Sequence, residues 1–278
     1  MNRPGLLRRF SRRRASVFGA VLLACVLGAA CCADWAYPGD PWDMAAPPLL
    51  WPGEDPAFPL GSDTLGRDIA AGLLHGARAS LLIGTVAALA SLAAGTTLGA
   101  IAGYYGGHTD TALMRLAELV QTMPPFLFAI VLIAILGPQL RTMVFALSVI
   151  SWPTVARLVR GEFLRLRQLE FVQACVALGM SDARIIVRHI LPNALPPVIV
   201  ITSVVIASAI LTEAGLSFLG LGDPNVLTWG TMIGLGRDTL RTEPYMAAIP
   251  GMAILITVLG LNLVGEGLND ALLPGGDP

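Results

Sequence analysis

The sequence contains no lysine, and all 18 of its basic residues are arginine. A chain without lysine cannot supply the lysine of a phosphate-binding P-loop, a Schiff-base lysine or a lysine general base. ATP hydrolysis at a P-loop and pyridoxal-phosphate chemistry are therefore excluded for this chain.

Charged residues of both signs are scarce, at 13% of 278 residues, whereas 55% of the residues are hydrophobic. A soluble globular domain has roughly 25% charged residues. The mean hydropathy of +0.70 exceeds what a water-surrounded core of this size could hide. The net charge of −1 gives no overall attraction to nucleic acid. We therefore expect the chain to lie in a lipid bilayer and to have no nucleic-acid partner.

Metal-ligating residues are also few. Four cysteines, Cys25, Cys31, Cys32 and Cys175, have none of the spacings that mark zinc sites or a disulfide framework, and we predict buried thiols. The three histidines are far apart in the sequence and on different predicted sides of the membrane. No metal or cofactor site is predicted on this chain.

Long charge-free runs dominate what is present, and about 20 such residues cross the hydrocarbon layer as a helix. The runs lie at 15–33, 79–102, 119–140, 142–156, 190–212 and 244–265. The fourth is short, but it lies between Arg141 and Arg157, whose side chains can reach opposite interfaces. The sequence predicts an all-α, polytopic membrane protein with about six transmembrane helices.

The first run follows an arginine-rich start and could instead be a cleaved signal peptide. An uncleaved first helix is favoured, because further spans follow and the small residues before Cys31 form a poor cleavage site. The positive-inside rule then places the N-terminus in the cytoplasm, and six spans return the C-terminus there. The predicted divisions are a tail 1–14, a first helix 15–33, an extracytoplasmic loop 34–77, a core 78–273 and a cytoplasmic tail 274–278.

The predicted outer loop 34–77 carries seven acidic residues and one arginine, Arg67. Its first half is rich in proline, from Pro38 to Pro59, which predicts an extended or turn-like segment. By contrast, the segment between the fourth and fifth runs is basic, which marks it as cytoplasmic by the same rule. Its arginines are Arg157, Arg160, Arg165, Arg167, Arg184 and Arg188.

This basic segment has helical periodicity, with apolar residues at three-residue steps from Phe163 to Leu169. Gly179 then breaks the pattern, and Ser181 or Asp182 can cap a following helix. The pattern predicts two short helices joined at a glycine, a compact protrusion suited to a soluble partner. The alternative is an ordinary solvated loop.

The same residues resemble the cytoplasmic EAA loop of bacterial ABC-importer permeases, in Gln173-Ala174-Cys175, then Gly179, then Leu191-Pro192-Asn193. Further stretches are similar to the dipeptide, oligopeptide and nickel branch of that family, and the likeness spans about 58–273. These stretches are 59–68, 76–81, 103–107, 213–222 and 262–270. The chain is similar to the C-type permease subunit of such transporters.

The resemblance implies a type I importer permease fold in the bacterial inner membrane, and a subunit that is not an enzyme. It implies a heterodimer with a second homologous permease, two cytoplasmic ATPases that hold ATP and magnesium, and an extracytoplasmic binding protein. The implied substrates are di- or oligopeptides, with nickel or another small solute as the alternative.

The resemblance also assigns residues. The ATPase-coupling loop covers about 161–192, and possible binding-protein contacts lie in the outer loop. The coupling residues are Gln173, Ala174, Cys175, Ala177, Leu178, Gly179, Met180, Ser181, Asp182, Leu191 and Pro192, and the outer-loop residues are Asp63, Arg67 and Asp68.

The sequence departs from the family pattern at the start of this loop. Gln173 stands where the family usually has a glutamate, and Cys175 stands where it usually has alanine. A neutral hydrogen bond from Gln173 is roughly half as strong as a charge-assisted one. We therefore expect docking of the ATPase to depend mainly on small and apolar residues that fill a groove.

Two other classes of protein stay open. A stand-alone secondary transporter would need charged sites at the membrane midplane, and the long runs carry none at their centres. A membrane-embedded enzyme would need a nucleophile with a base, and no such constellation stands out.

Glu118, Glu213 and Glu266 lie near span ends, where we expect them to reach water or pair with an arginine. The aromatic residues are expected to anchor the chain at the interfaces; they include Tyr104, Tyr105, Trp152, Trp229 and Tyr245.

Overall fold

The computed structural model describes residues 10, 11 and 13–272. The predicted tail 274–278 and most of the predicted tail 1–14 lie outside these residues. Within the described part, the chain forms helices and an isolated antiparallel bridge between Ser62 and Asp68, with no named strand. The helices are α1 (Arg14–Cys31), α2 (Ala33–Ala36), α3 (Ile69–Tyr105), α4 (Gly107–Gln121), α5 (Pro125–Leu136), α6 (Leu140–Arg167), α7 (Glu170–Ala177), α8 (Asp182–Ile185), α9 (Leu191–Phe218), α10 (Trp229–Leu235) and α11 (Tyr245–Leu272).

Among the described residues, five helices are long and apolar enough to cross a membrane. They are α1, α3, α6, α11 and the continuous helix Asp182–Phe218, in which a π-helical turn at Ile186–Ile190 joins α8 to α9. The pair α4 and α5 passes the same test together but is bent by 81°. The all-α prediction with about six spans is confirmed.

Two predicted spans require particular correction. The run 119–140 is not one helix, because α4 ends at Gln121 and α5 begins at Pro125. Proline lacks the backbone N–H that would continue a helix but fits the first helical turn. The run 142–156 is part of a longer helix, because α6 continues past Arg157 to Arg167 and buries Phe163 on the way. The fourth predicted span is therefore part of a helix that is long enough to cross the membrane.

The helix α3 begins at Ile69, inside the segment that the sequence predicts as loop 34–77. Asp68 sets this start, because its Oδ1 accepts a hydrogen bond from the Ala70 N–H at 2.8 Å. The preceding residues 37–68 form turns, as the proline content predicts.

The most extensive helix–helix contact joins α3 to α6. Three glycines of α3, four residues apart, form the contact: Gly95, Gly99 and Gly103. A Cβ built on Gly95 would lie 2.6 Å from Val155 Cβ, and one on Gly103 would lie 2.6 Å from Phe163 Cβ. Small residues at this spacing allow two membrane helices to approach closely, because packing rather than water exclusion holds such helices together.

The helix α1 packs mainly on α11. A Cβ on Gly19 would lie 2.6 Å from Leu263 Cβ, so the two backbones approach closely. At one end of this contact, an Arg13 guanidinium nitrogen lies 2.5 Å from Asp270 and another lies 3.4 Å from Glu266. Glu266 therefore pairs with an arginine, as predicted.

The prediction of buried cysteines is wrong for α1. Cys25, Cys31 and Cys32 are exposed, and Cys175 is half-buried. The reason is that α1 contacts the rest of the chain on one side only, so that most of its apolar residues face outward. In a membrane protein, hydrophobic character does not imply burial within the chain, because lipid is itself an apolar solvent.

The helix bundle has two ends. Residues 168–190 form one of them, and we call this segment the knob and this end the knob end. Residues 37–68 and α10 lie at the other, which we call the loop end. The long helices α3 and Asp182–Phe218 connect the two ends.

Candidate functional site

The knob consists of α7, a tight turn, α8 and the π-helical turn Ile186–Ile190. The turn is a Schellman motif, in which the N–H of Met180 donates to the Cys175 carbonyl and the N–H of Gly179 donates to the Val176 carbonyl. Gly179 has φ +72°, the left-handed conformation that favours glycine. The predicted pair of helices joined at Gly179 is confirmed. Ser181 occupies the N-cap position of α8 without a side-chain capping bond.

The predicted first helix is divided into two. Phe163 and Leu166 belong to the last turns of α6, and the helix is interrupted at Gln168 before α7 begins. The knob is anchored at this break by Val172, Ile185 and Ile190, which are fully buried in one core with the end of α6. A movement of the knob must therefore move α6 as well.

Two side chains that sequence reasoning did not assign to the site lie beneath the knob. Tyr104, at the end of α3, is buried, and its hydroxyl donates a hydrogen bond to Asp182 Oδ1 at 2.7 Å. The Arg167 guanidinium lies 5.7 Å from the centre of the Tyr104 ring, a cation–π contact. Tyr104 is therefore a buried link and not the interface anchor that the sequence predicts.

The Gln173 side chain forms a hydrogen bond within the knob end of the protein. Its Nε2 donates to the Arg167 carbonyl at 2.8 Å, so the side chain closes the break between α6 and α7. Its carbonyl oxygen has no hydrogen-bond partner among the described residues. The predicted role of Gln173 in docking an ATPase stays a prediction.

The knob carries an exposed apolar patch. Leu178 is 80% exposed, and Val176 and Phe171 are also exposed. We call these three residues the knob surface. An apolar patch at the arginine-rich end of the molecule is typical of a docking site for another protein. The remaining predicted coupling residues form two groups. Those exposed to the surroundings are Ala174, Ala177, Gly179, Ser181, Asp182 and Pro192. Those that pack against the buried hydrophobic cluster at the knob end are Cys175, Met180 and Leu191.

The predicted outer-loop residues Asp63, Arg67 and Asp68 are brought together at the loop end. Asp63 is only 8% exposed, and its Oδ1 accepts hydrogen bonds from the N–H groups of Leu65 and Arg67. The Arg67 guanidinium lies 3.3 Å from Asp63 and 4.8 Å from the Trp42 ring.

Asp68 caps α3, and its burial raises the pKa of this carboxyl above the ordinary value of 3.8, although backbone N–H donors lower it in part. All three polar groups therefore hold the fold of the loop. Their predicted contact with a binding protein stays a prediction.

The short helix α10 is held between the spans at the loop end. The backbone N–H of Trp229 donates to Ser80 Oγ at 3.0 Å, and its ring Nε1 donates to the Leu73 carbonyl at 2.9 Å. Both acceptors belong to α3. The Trp229 side chain is fully buried, so the prediction of an interface anchor is wrong here too.

The expectation that Glu213 reaches water or an arginine is also wrong. Glu213 is 1% exposed, and its Oε1 accepts hydrogen bonds from Ser217 Oγ at 2.8 Å and from Thr228 Oγ1 at 2.7 Å. The reason is that α10 folds back over the end of α9 and covers the carboxyl group. A sequence pattern cannot show this return of the chain.

Within the described part of the chain, no group of three or more His, Cys, Asp or Glu side chains is arranged to hold a metal ion. A helix bundle with five to six apolar spans and an exposed apolar patch on a helical knob at one end has the architecture of a membrane permease subunit. Residues 95–275 match the family described as "Binding-protein-dependent transport system inner membrane component", and the chain belongs to this family of transport permeases.

Curated relatives extend the match over most of the chain. The glutathione transport system permease protein GsiD of Pectobacterium atrosepticum is 39% identical over 268 residues, which cover 96% of this chain and 89% of that protein. The dipeptide transport system permease protein DppC of Alkalihalophilus pseudofirmus is 43% identical over 216 residues, 77% of this chain and 71% of that protein.

Among solved structures, an inward-facing conformation of the MetNI methionine ABC transporter matches with a TM-score of 0.60 and 18% identity. The match covers 72% of this chain and 96% of that one. At this identity the likeness concerns the fold alone, which is the type I permease fold of ABC importers. The chain is a multi-pass membrane protein of that class.

Proposed function

We propose that this chain is a permease subunit of an ATP-driven peptide importer and forms the translocation path with a second, homologous permease. The names of the relatives support peptides as the substrate class, because they are described as glutathione, dipeptide and di/tripeptide transport permeases. The nickel alternative raised by the sequence has no comparable support among these names.

The knob surface carries this proposal. An exposed leucine on a short helix fits the apolar groove of a partner, the helix-in-groove mode of recognition. We infer that a cytoplasmic ATPase docks on this surface and that a second ATPase docks on the partner permease. ATP and magnesium are then bound in those subunits, and this chain has no catalytic role.

The arginines support an orientation. Six of them, from Arg157 to Arg188, lie in the second half of α6 and in the knob, which supports a cytoplasmic position of the knob end by the positive-inside rule. Both termini then lie in the cytoplasm of a bacterial cell whose inner membrane holds the protein. The loop end faces outward, where an extracytoplasmic binding protein delivers the peptide. Asp63, Arg67 and Asp68 contribute by fixing the shape of the loop that this protein meets.

Transport follows from alternating access. When the two ATPases close on ATP, they move the two knobs together, and each knob moves the spans to which it is joined. In this chain those spans are α6, through the shared core, and α3, through the Tyr104–Asp182 hydrogen bond. Binding of ATP thus favours the outward-open state because that state alone brings the knobs together.

The experiment that tests the proposal replaces Leu178 with serine and Gly179 with proline in the tagged, membrane-expressed complex. Leu178→Ser removes apolar docking area without disturbing the core, since this side chain is 80% exposed. Gly179→Pro removes the turn, because proline fixes φ near −65° and cannot adopt +72°. Both variants should remain in the membrane but lose co-purifying ATPase and ATP-driven peptide uptake.

Gly251→Ala is the matched control, because an added Cβ at this glycine of α11 meets nothing within 4 Å. Its uptake should equal that of the wild type. Retained uptake in Gly179→Pro would refute the coupling role of the knob. If the purified wild-type chain moves a solute into liposomes without ATP, the chain is a secondary transporter and not an importer subunit.

A further inference from the structure

The buried carboxyl of Glu213 has no part in the mechanism above. It lies near the loop end of the continuous helix Asp182–Phe218, whose other end carries the knob residue Asp182. Ionisable groups inside membrane proteins are costly to bury and usually mark a functional position. Glu213 therefore requires an explanation of its own.

Glu213 joins two elements. Its Oε1 accepts one hydrogen bond from Ser217, on its own helix, and one from Thr228, the residue that caps α10. Its Oε2 is buried and has no hydrogen-bond partner among the described residues. One carboxyl oxygen thus holds α10 to α9.

Close packing reinforces the same junction. A Cβ built on Gly230 would lie 2.6 Å from Ala214 Cα and 2.9 Å from Ser217 Cβ. Only a glycine allows α10 to approach the α9 backbone so closely. Because Thr228 directly precedes α10, a movement of α10 along α9 would break the Thr228–Glu213 hydrogen bond.

The junction also completes a closed frame. Trp229 joins α10 to α3 through two hydrogen bonds, and the last turn of α3 carries Tyr104, which donates a hydrogen bond to Asp182 in the knob. The helices α3 and Asp182–Phe218 are therefore joined at both ends of the molecule. A displacement of α10 at the loop end must move both helices, and with them the knob.

We propose that Glu213 is a positioning residue that makes α10 move with α9, so that docking of the binding protein at the loop end is transmitted to the knob. This proposal rests on the importer function proposed above. The carboxyl acts as a hydrogen-bond acceptor for Thr228 and not as a carrier of charge or protons.

The test uses the complete complex of both permeases and both ATPases in nanodiscs, with its binding protein and a peptide. ATP hydrolysis is measured with and without the peptide-loaded binding protein. Glu213→Ala removes the acceptor and should abolish the stimulation while the basal rate stays unchanged. Glu213→Gln keeps a carbonyl oxygen for Thr228 and should retain the stimulation.

Controls separate this role from others. Glu266→Ala removes an acid at the opposite end of the bundle and should leave the stimulation intact. Should Glu213→Ala fail to assemble, Thr228→Val removes the donor of the same hydrogen bond together with the α10 cap and should abolish the stimulation, whereas Thr228→Ser keeps both and should retain it.

Three results would overturn the proposal. They are full stimulation in Glu213→Ala or Thr228→Val, loss of stimulation in Glu213→Gln, and a parallel fall of basal and stimulated rates. Failure of the importer function itself is distinguishable, because the wild-type complex would then show no stimulation by the binding protein.

Discussion

Replacement of Gly95 by alanine should loosen the contact between α3 and α6. The added Cβ would lie 2.6 Å from Val155 Cβ and 2.8 Å from the Trp152 carbonyl oxygen, whereas ordinary contact begins at 3.4 Å. The helices must therefore separate locally by about 0.8 Å. A gap of about 0.5–1 Å forfeits a quarter to a half of the dispersion attraction between the atoms that face it.

The net cost follows from two opposing effects. Overpacking of a well-packed contact costs about 1–3 kcal/mol, and alanine gains up to about 1 kcal/mol over glycine within a helix. We expect Gly95→Ala to lower the free energy of unfolding by about 1–2 kcal/mol. At a helical glycine with open space, the same change should be neutral or stabilising.

Gly161→Ala provides this comparison, because its added Cβ meets nothing within 4 Å. The assay is thermal unfolding of the purified chain in mild detergent. The melting temperature should be lowest for Gly95→Ala and highest for Gly161→Ala, with the wild type between them. Equal melting temperatures for the two variants would refute the argument that glycine is needed for the approach of α3 to α6.

Two further predictions concern the ends of α3. Burial raises the pKa of Asp68, so the folded state favours the neutral acid. The stability of the wild type relative to Asp68→Asn should therefore fall as the pH rises above 3.8, measured by thermal unfolding across the acidic range. At the knob end, Tyr104→Phe removes the hydrogen bond to Asp182, and fewer peptides should be transported per ATP hydrolysed in proteoliposomes.

Each of these predictions has a result that contradicts it. Parallel stability curves for the wild type and Asp68→Asn would show that burial of Asp68 does not disfavour its charged form. The control for Tyr104→Phe is Tyr105→Phe, because Tyr105 is exposed and adjacent. Equal transport per ATP in the two tyrosine variants would show that the knob moves independently of α3.

The sequence predicted the features that depend on local chemistry. Charge-free runs gave the spans, because lipid requires about 20 apolar residues to cross it. Gly179 indicated the turn of the knob, because a helix that ends in a left-handed residue usually ends in glycine. The start of α3 was also readable in principle, since Asp68 is a good N-cap residue directly before an apolar run.

The features that the sequence did not predict depend on residues far apart in the chain. Tyr104 and Asp182 are separated by 78 positions, and no spacing rule relates them. From the sequence, Glu213 was expected at the membrane interface. It is buried because α10, which follows later in the chain, folds back over it. The glycines of α3 do form a small-xxx-small pattern, but their partner α6 is identified only in three dimensions.

The packing of α1 has a consequence for how such permeases can diversify. The family match begins at residue 95, so α1 and the loop that follows lie outside it. Within the described chain, α1 is held chiefly by α11, through a glycine contact and the ion pairs of Arg13. The frame formed by α3, the knob, α9 and α10 closes without α1. We therefore expect the first helix and its loop to vary more readily than this frame, which would change the loop end while the contacts between the knob and the spans stay the same.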